Sequence, residues 1–229
     1  MIYLLLLAFA PIVVIILYIY FKDKYDKEPK RLLFYSFLLG AIVSIIVTTI
    51  IYFGFDIALP LKDKFSVPQL FIKAFLVVGL TEEFSKYIIV RYFAQPKKAF
   101  NEPFDGIMYA VMVSMGFAAT ENIFYVIEGG YVTGILRAFT AVPAHATFGI
   151  LMGYFMGKAK FSKNRFKLNL IGLLLAVTFH GFYDFFLFLD FIPGIWVGAF
   201  LSLILGIILS NKAIKKHQED SHFNPANDL

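Results

Sequence analysis

The chain has 229 residues, 59% of them hydrophobic, with a mean hydropathy of +0.75 and a formal net charge of +5. It contains no cysteine, which excludes disulfides, thiolate nucleophiles and cysteine-ligated metals. The positive charge does not indicate nucleic-acid binding, because the basic residues are dispersed through short loops between apolar segments, where they report orientation in a membrane.

Apolar segments of about 20 residues, the length that an α-helix needs to cross a bilayer, recur along the chain. They predict an all-α, polytopic membrane helical bundle with about seven transmembrane helices. In chain order the predicted spans are residues 2–21, 32–55, 69–93, 104–127, 134–156, 168–189 and 195–209. No basic segment precedes the first span, so we expect a retained anchor and not a cleaved signal peptide.

Lysine and arginine concentrate in alternate connections between the spans. Residues 22–31 and 158–167 carry five each, and residues 91–98 and 212–216 carry three each. The positive-inside rule therefore predicts an N-terminus outside the cell and a C-terminus in the cytoplasm, in agreement with an odd number of spans. We expect one membrane domain over residues 1–210 and a polar, disordered cytoplasmic tail over residues 211–229.

Ionisable groups lie inside several of these apolar spans. An unpaired charge at the centre of a membrane helix costs roughly 2.5 to 3.5 kcal/mol, so the set would cost on the order of 10 kcal/mol if unpaired. The groups must therefore pair with one another, and a buried polar cluster of this kind indicates chemistry. Its members are Glu82, Glu83, Lys86, Glu121, Asn122, His145, His180 and Asp184.

Four of the spans can contribute to one site. Counting about 1.5 Å per residue from the outer end of each span puts Glu82, His145 and His180 about 15 to 18 Å deep and Glu121 about 9 Å deep. These depths are compatible with one layer in the outer half of the membrane, because span ends are uncertain by several residues. We therefore expect these side chains to converge.

The spacing within the third span separates the roles of its two carboxylates. Lys86 lies at i+4 from Glu82 and at i+3 from Glu83, so the ammonium group can neutralise one carboxylate and leave the other free to titrate. The alternative is an ion pair that only holds helices together.

The other spans carry their own polar pairs. His180 and Asp184 are four residues apart, so the carboxylate can orient the imidazole, and Tyr183 lies on an adjacent face. His145 has no acidic residue three or four positions away, so any charged partner must come from another span. Glu121 and Tyr125 are also four apart, and Asn122 can bond across helices; a structural network is as good an interpretation there as catalysis.

Two further patterns concern packing. Gly149, Gly153 and Gly157 form a stripe that lets another helix approach the His145 span closely, and Gly116 can act similarly beside Glu121. Asp105, at the cytoplasmic start of the fourth span, is typical of a helix N-cap.

In this order and spacing the motifs resemble the PrsW intramembrane proteases, over nearly the whole chain except the tail. That family is similar in turn to the CAAX-processing and bacteriocin-processing membrane proteases. The matching motifs are Lys22-Asp23-x-Tyr25-Asp26-x-Glu28-Pro29, Glu82-Glu83-x-x-Lys86, Asp105-Gly106, Glu121-Asn122-x-x-Tyr125, His145 and His180-Gly181-x-Tyr183-Asp184.

The resemblance implies a protease of the bacterial cell (inner) membrane that makes the first cut in a single-pass anti-sigma factor near the outer face. It implies that the Glu82–Glu83 pair is essential and that His145, His180 and Asp184 complete the site. Two departures matter: the wider superfamily has arginine where this chain has Lys86, and asparagine where it has Asp184. Oxyanion binding at the latter position would need a protonated carboxyl group or another donor.

The residues also fit proteolysis on their own chemistry. A buried glutamate can deprotonate water, and a histidine N–H can stabilise the developing oxyanion. We assign Glu82 or Glu83 as base, His145 to water activation and His180, oriented by Asp184, to the oxyanion. The alternatives are a proton-coupled transporter or channel, although no inverted repeat is visible, and a non-enzymatic membrane scaffold.

Whether a metal takes part stays open. Zinc would need about three protein ligands, which His145, His180 and either Glu83 or Glu82 could supply. No H-E-x-x-H sequence is present, however, and Asp184 could orient His180 with or without a metal. We favour a mechanism without a cofactor, because one glutamate and two histidines suffice for water activation and oxyanion binding.

Overall fold

The computed structural model describes residues 2–227, and within that range it is helical with no strand. Met1 and residues 228–229, the end of the predicted tail, lie outside the described residues. The α-helices are α1 (Ile2–Lys22), α2 (Lys30–Leu39), α3 (Ile45–Ala58), α4 (Val67–Ile72), α5 (Thr81–Ile89), α6 (Phe104–Phe139), α7 (Ala141–Lys160), α8 (Arg165–Phe188) and α9 (Val197–Glu219).

Short π-helical segments join several of these helices into longer rods. Gly40–Ser44 joins α2 to α3, and Lys73–Leu80 joins α4 to α5, which Val90–Ala94 then extends. π-Helical turns are rare and are frequently found at functional sites. The eight-residue segment here ends at Leu80, two residues before Glu82.

The chain is a helical membrane protein. Within residues 2–227, five helical stretches are long and apolar enough to cross a bilayer by length and composition. The rods follow the order of the seven predicted spans, but the count of seven and the orientation stay predictions. The boundary between the fourth and fifth spans differs: α6 continues through a kink at Gly130, whose φ of 69° suits glycine, and α7 begins only at Ala141.

Helix α6 is the centre of the bundle, because every residue from Phe104 to Ala119 is buried. The predicted glycine stripe is confirmed as its contact with α7. A Cβ added at Gly153 would lie 2.3 Å from the carbonyl oxygen of Gly106, too close for any other residue at this separation. Gly116 likewise meets the backbone of Phe37 on α2, as predicted for the Glu121 helix.

The basic end of the bundle departs from the sequence predictions in two places. Where the sequence predicts a disordered tail from residue 211, α9 continues to Glu219. Ser221 beyond it is buried, and its hydroxyl donates to Glu102. Asp105 does not cap α6 as an N-cap; it lies in the first turn, and its Oδ2 accepts the backbone N–H groups of Asn101 and Glu102 at 2.7 and 2.8 Å.

Candidate active site

Helix α5 carries two glutamates and a lysine that are buried together. Ser85, between them in sequence, anchors the helix: its Oγ donates to the carbonyl oxygen of Glu82 at 2.7 Å and lies 2.5 Å from the Ser44 hydroxyl. Thr48 donates to the same Oγ at 3.0 Å. These hydrogen bonds fix α5 against α3 and the π-helical segment before it, and so set the direction in which the glutamates point.

Glu83 is fully paired on one oxygen. Its Oε1 accepts the Lys86 ammonium at 2.7 Å and lies 2.8 Å from Nδ1 of His180. The carboxylate is 0% exposed. Glu83 is therefore held by a cation and an imidazole at the same time.

Glu82 has a different environment. Its Oε1 accepts a hydrogen bond from the hydroxyl of Tyr52 at 2.7 Å. Tyr52 lies on α3 and was not singled out by the sequence analysis. Oε2 of Glu82 has no hydrogen-bond partner among the described residues, and it lies 3.6 Å from the Lys86 ammonium and 3.9 Å from Nε2 of His180. One oxygen of Glu82 is thus free for a further ligand.

The ring of His180 is enclosed by acids and an aromatic face. Nε2 lies 3.3 Å from Oδ2 of Asp184, as the four-residue spacing on α8 predicted. Phe148 stacks on the ring with centroids 4.8 Å apart and an interplanar angle of 19°. Together with Glu83 on the other ring nitrogen, these contacts fix the orientation of the imidazole.

His145 takes its partners from other helices, as expected from the lack of a nearby acid on α7. Nε2 lies 2.8 Å from Oε2 of Glu121 on α6, and Nδ1 lies 3.2 Å from the Lys86 ammonium. Because an ammonium group can only donate, Nδ1 accepts and the ring hydrogen is on Nε2, where it donates to Glu121.

Arg137, beyond the Gly130 kink, completes this network and was missed by the sequence analysis. Its guanidinium donates to Oε2 of Glu121 at 2.7 Å and to Oδ1 of Asn122 at 2.5 Å, and it lies 4.0 Å from the ring centroid of Tyr125. Asn122 also donates to the carbonyl oxygen of Ala8 at 3.1 Å, so this side chain links α6 to α1. Only the scarcity of basic residues on this side of the bundle could have pointed to Arg137.

A cavity of about 640 Å³ opens beside these groups. It is lined by the first half of α3, the middle and last turn of α6, the start of α7 and the end of α8. It lies toward the end of the bundle that is poor in lysine and arginine. The site residues that line it are Tyr52, Glu82, Glu121, Tyr125, Arg137, His145, His180, Tyr183 and Asp184. Glu83, Lys86 and Asn122 do not line it, so the two predicted catalytic glutamates differ in access.

Two sets of three described residues could hold a metal ion, with candidate ligand atoms within 4.8 Å of one another: Glu82, Glu121 and His145, and Glu82, Glu83 and His180. Buried, unpartnered Oε2 atoms of Glu82 and Glu83 belong to the second set. Carboxylate and imidazole donors suit zinc, so these residues fit a metal. The predicted zinc site requires both histidines, and neither of these two sets contains both.

Comparisons with known proteins show which family this sequence is similar to. A family model described as PrsW family intramembrane metalloprotease matches residues 28–210. A protein named Protease PrsW from Oceanobacillus iheyensis is 39% identical over 179 residues, covering 78% of this chain and 80% of its own. Proteins of the same name from Geobacillus kaustophilus and Bacillus subtilis are each 36% identical, covering 84% and 78% of this chain and 83% and 79% of their own. No solved structure matches.

Proposed function

Because this chain belongs to the PrsW family of intramembrane metalloproteases, and is therefore a multi-pass peptidase of the cell membrane, we propose that it cuts a single-pass membrane protein near the outer membrane face. The proposed machinery is Glu82, Glu83, His145, His180 and Asp184, with Lys86, Glu121 and Tyr52 holding it in position. The observation that carries the proposal is the cavity of about 640 Å³ that Glu82 lines together with both histidines.

Glu82 is the better candidate for the base. Both glutamates keep one carboxylate oxygen free of hydrogen bonds among the described residues, but only Glu82 lines the cavity. The other oxygen of Glu83 is tied to Lys86 and His180. In the proposed step, Glu82 takes a proton from water as the water oxygen attacks the carbonyl carbon. The same carboxyl group then gives the proton to the amine nitrogen as the C–N bond breaks.

His180 is proposed to stabilise the oxyanion of the tetrahedral intermediate. Asp184 and Glu83 hold its ring from the two nitrogens, at 3.3 and 2.8 Å, so the imidazole is preorganised and does not need to reorient during the reaction. Nε2 is the donor that a bound carbonyl oxygen could share. Asp184 accepts from that ring and so positions it; it does not replace the asparagine donor of the wider superfamily.

His145 is proposed to hold the groups beside the reacting water and not to bind the water through a ring nitrogen, because its Nδ1 already accepts from Lys86. Its Nε2–H is committed to Glu121, so the ring edge beside the cavity is fixed through Glu121 and Arg137. Without that network, the ring of His145 would no longer be held in one orientation. The proposed role is therefore one of positioning next to Glu82.

A metal ion is compatible with the same residues. Glu82, Glu83 and His180 would hold it, and when bound it would polarise the carbonyl group and acidify water. Without a metal, the ammonium of Lys86, which lies 3.6 Å from the free oxygen of Glu82, is the positive charge beside these carboxylates. Activity measured after chelation distinguishes the metal-dependent mechanism from the metal-free one.

The proposed substrate is a single-pass anti-sigma factor, as the family resemblance implies, cut at its outer juxtamembrane segment. An intact helix hides its amides in internal hydrogen bonds, so the segment must be extended before a peptide bond can reach Glu82. With the predicted topology, the cavity faces the outer side, where such a segment leaves the bilayer.

The test is incubation of the purified protein with candidate single-pass proteins, anti-sigma factors included, and mass spectrometry of the fragments. We expect one cut near the outer end of the substrate helix, and no cut with Glu82→Gln. Glu128→Gln, an exposed acid on the same side, is the matched control and should cleave normally. Cleavage by Glu82→Gln at the wild-type rate would reject the base assignment. Activity lost on exhaustive chelation and regained with zinc would reject the metal-free mechanism.

A further inference from the structure

A second cavity, of about 530 Å³, lies at the other end of the bundle, between α7, α8 and α9. Its wall is apolar over most of its length and faces outward from the bundle. The apolar lining residues are Leu151, Tyr154, Phe155, Leu175, Leu209 and Ala213. An apolar cavity of this volume between membrane helices favours a lipid acyl chain over water.

Three lysines form one rim of this groove. Lys212, Lys215 and Lys216 all lie on α9, line the groove and are exposed. They occupy the end of the bundle where most of the lysine and arginine residues are found, which the positive-inside rule assigns to the cytoplasm. The groove therefore combines an apolar wall at bilayer depth with a positive rim at the membrane surface.

One acid, Glu219, also lines the groove, and Asp220 lies next to it, but the two acids leave the three lysines available. Lys215 lies 3.8 Å from Glu219, and Lys216 lies 2.8 Å from Asp220, but all four side chains are at least 41% exposed. Exposed pairs of this kind are weak and exchange readily with other anions. Lys212 makes no ion pair within the described residues, so at least one cation of the rim is unmatched.

We propose that this groove binds one anionic phospholipid of the inner leaflet, with an acyl chain along α7, α8 and α9 and the phosphate at Lys212, Lys215 and Lys216. Charge complementarity selects the occupant: a zwitterionic lipid can fill the apolar wall equally well, but only an anionic headgroup gains from the unmatched positive rim. Basic pockets between membrane helices at this surface are suited to such headgroups.

The position of the groove connects it to the candidate active site. The helices α7 and α8 that form it carry His145 and His180, and Gly206 of α9 packs against Thr147 and Phe179, neighbours of those histidines. A lipid that bridges the three helices would hold them together on the side opposite to the first cavity. Binding is therefore expected to stabilise the fold as well as to be selective.

The experiment is native mass spectrometry of the full chain with phosphatidylglycerol or phosphatidylcholine of identical acyl chains. Each lysine near the surface is worth roughly fivefold in binding an anionic lipid. We expect at least about tenfold preference for phosphatidylglycerol, and its loss in the triple variant Lys212→Gln, Lys215→Gln, Lys216→Gln. Arginine at the same three positions should retain the preference.

The matched control is the triple variant Lys24→Gln, Lys98→Gln, Lys163→Gln, which removes the same charge from exposed positions at the same end of the bundle. It should bind phosphatidylglycerol as the wild type does. Equal retention of the two lipids by the wild type would overturn the proposal. So would an equal loss in both triple variants, because binding would then follow total charge and not the groove.

Discussion

Replacement of Arg137 by alanine tests whether the network behind His145 is needed for activity. The guanidinium donates to Glu121 at 2.7 Å and to Asn122 at 2.5 Å, and the side chains of Arg137 and Glu121 are only 13% and 20% exposed. Arg137→Ala leaves the carboxylate of Glu121 with only the His145 N–H as a partner. We expect loss of both stability and turnover.

The magnitude follows from burial. Breaking a largely buried ion pair by removal of one partner costs about 3 to 5 kcal/mol, against at most about 1 kcal/mol for an exposed pair. In a chain of this size that is a decrease in melting temperature on the order of 10 °C. The double variant with Glu121→Gln should recover part of the stability, because no unpaired charge remains, but it should not recover turnover.

The assay is thermal unfolding in detergent together with cleavage of a single-pass substrate. Arg137→Lys keeps the charge but cannot make both hydrogen bonds, so we expect intermediate stability. Lys64→Ala, an exposed basic residue at the same end of the bundle, is the control. If Arg137→Ala melts and cleaves as the wild type does, the Arg137–Glu121–His145 network has no role in positioning.

Three further outcomes are expected. Glu82→Gln should abolish cleavage, whereas Glu83→Gln should leave a trace of turnover, measured on the same substrate, because only Glu82 lines the cavity. Burial raises the pKa of Asp23, in the loop after α1, to about 6 from its ordinary 3.8, so its stabilising contribution is complete below pH 3.8 and is lost as the pH rises through 6. Asp23→Asn should therefore flatten the dependence of the melting temperature on pH between pH 4 and 7. A pH profile equal to that of the wild type would contradict this. A reporter fused after Leu229 should be active only in the cytoplasm, and activity outside would overturn the topology.

Helical spacing accounts for what the sequence could predict. The contacts of Lys86 with both glutamates and of His180 with Asp184 follow from positions three and four residues apart, and the stripe through Gly153 follows from small residues at the same interval. These are local consequences of 3.6 residues per turn, so one sequence suffices to find them.

The missed residues depend on the relative placement of helices. Arg137 reaches Glu121 from 16 positions away because the chain kinks at Gly130, and no helical period relates the two. Tyr52 lies in an apolar run of α3, and only the packing of α3 on α5 brings its hydroxyl to Glu82. The course of residues 211–227 was missed because contacts such as Ser221 with Glu102 are likewise non-local.

The charge balance of the site bears on the question of metal. Two permanent cations, Lys86 and Arg137, face four carboxyl groups, so the cluster carries two surplus negative charges when every acid is ionised and both imidazoles are neutral. The four acids are Glu82, Glu83, Glu121 and Asp184. Uncompensated buried charge costs several kcal/mol per ion, so up to two protons or one divalent cation would offset the surplus.

The metal-free cluster and the metal-bound cluster therefore differ in the number of bound protons, which calorimetry can measure. If zinc binds in this cluster, it must displace protons, and we predict release of up to two protons per ion, measured as the dependence of the binding heat on the ionisation heat of the buffer. Glu82→Gln removes one of the carboxyl groups and should weaken binding and lower the number released. Zinc that binds with no proton release, and equally well to Glu82→Gln, would lie outside the cluster, and the metal-free mechanism would stand.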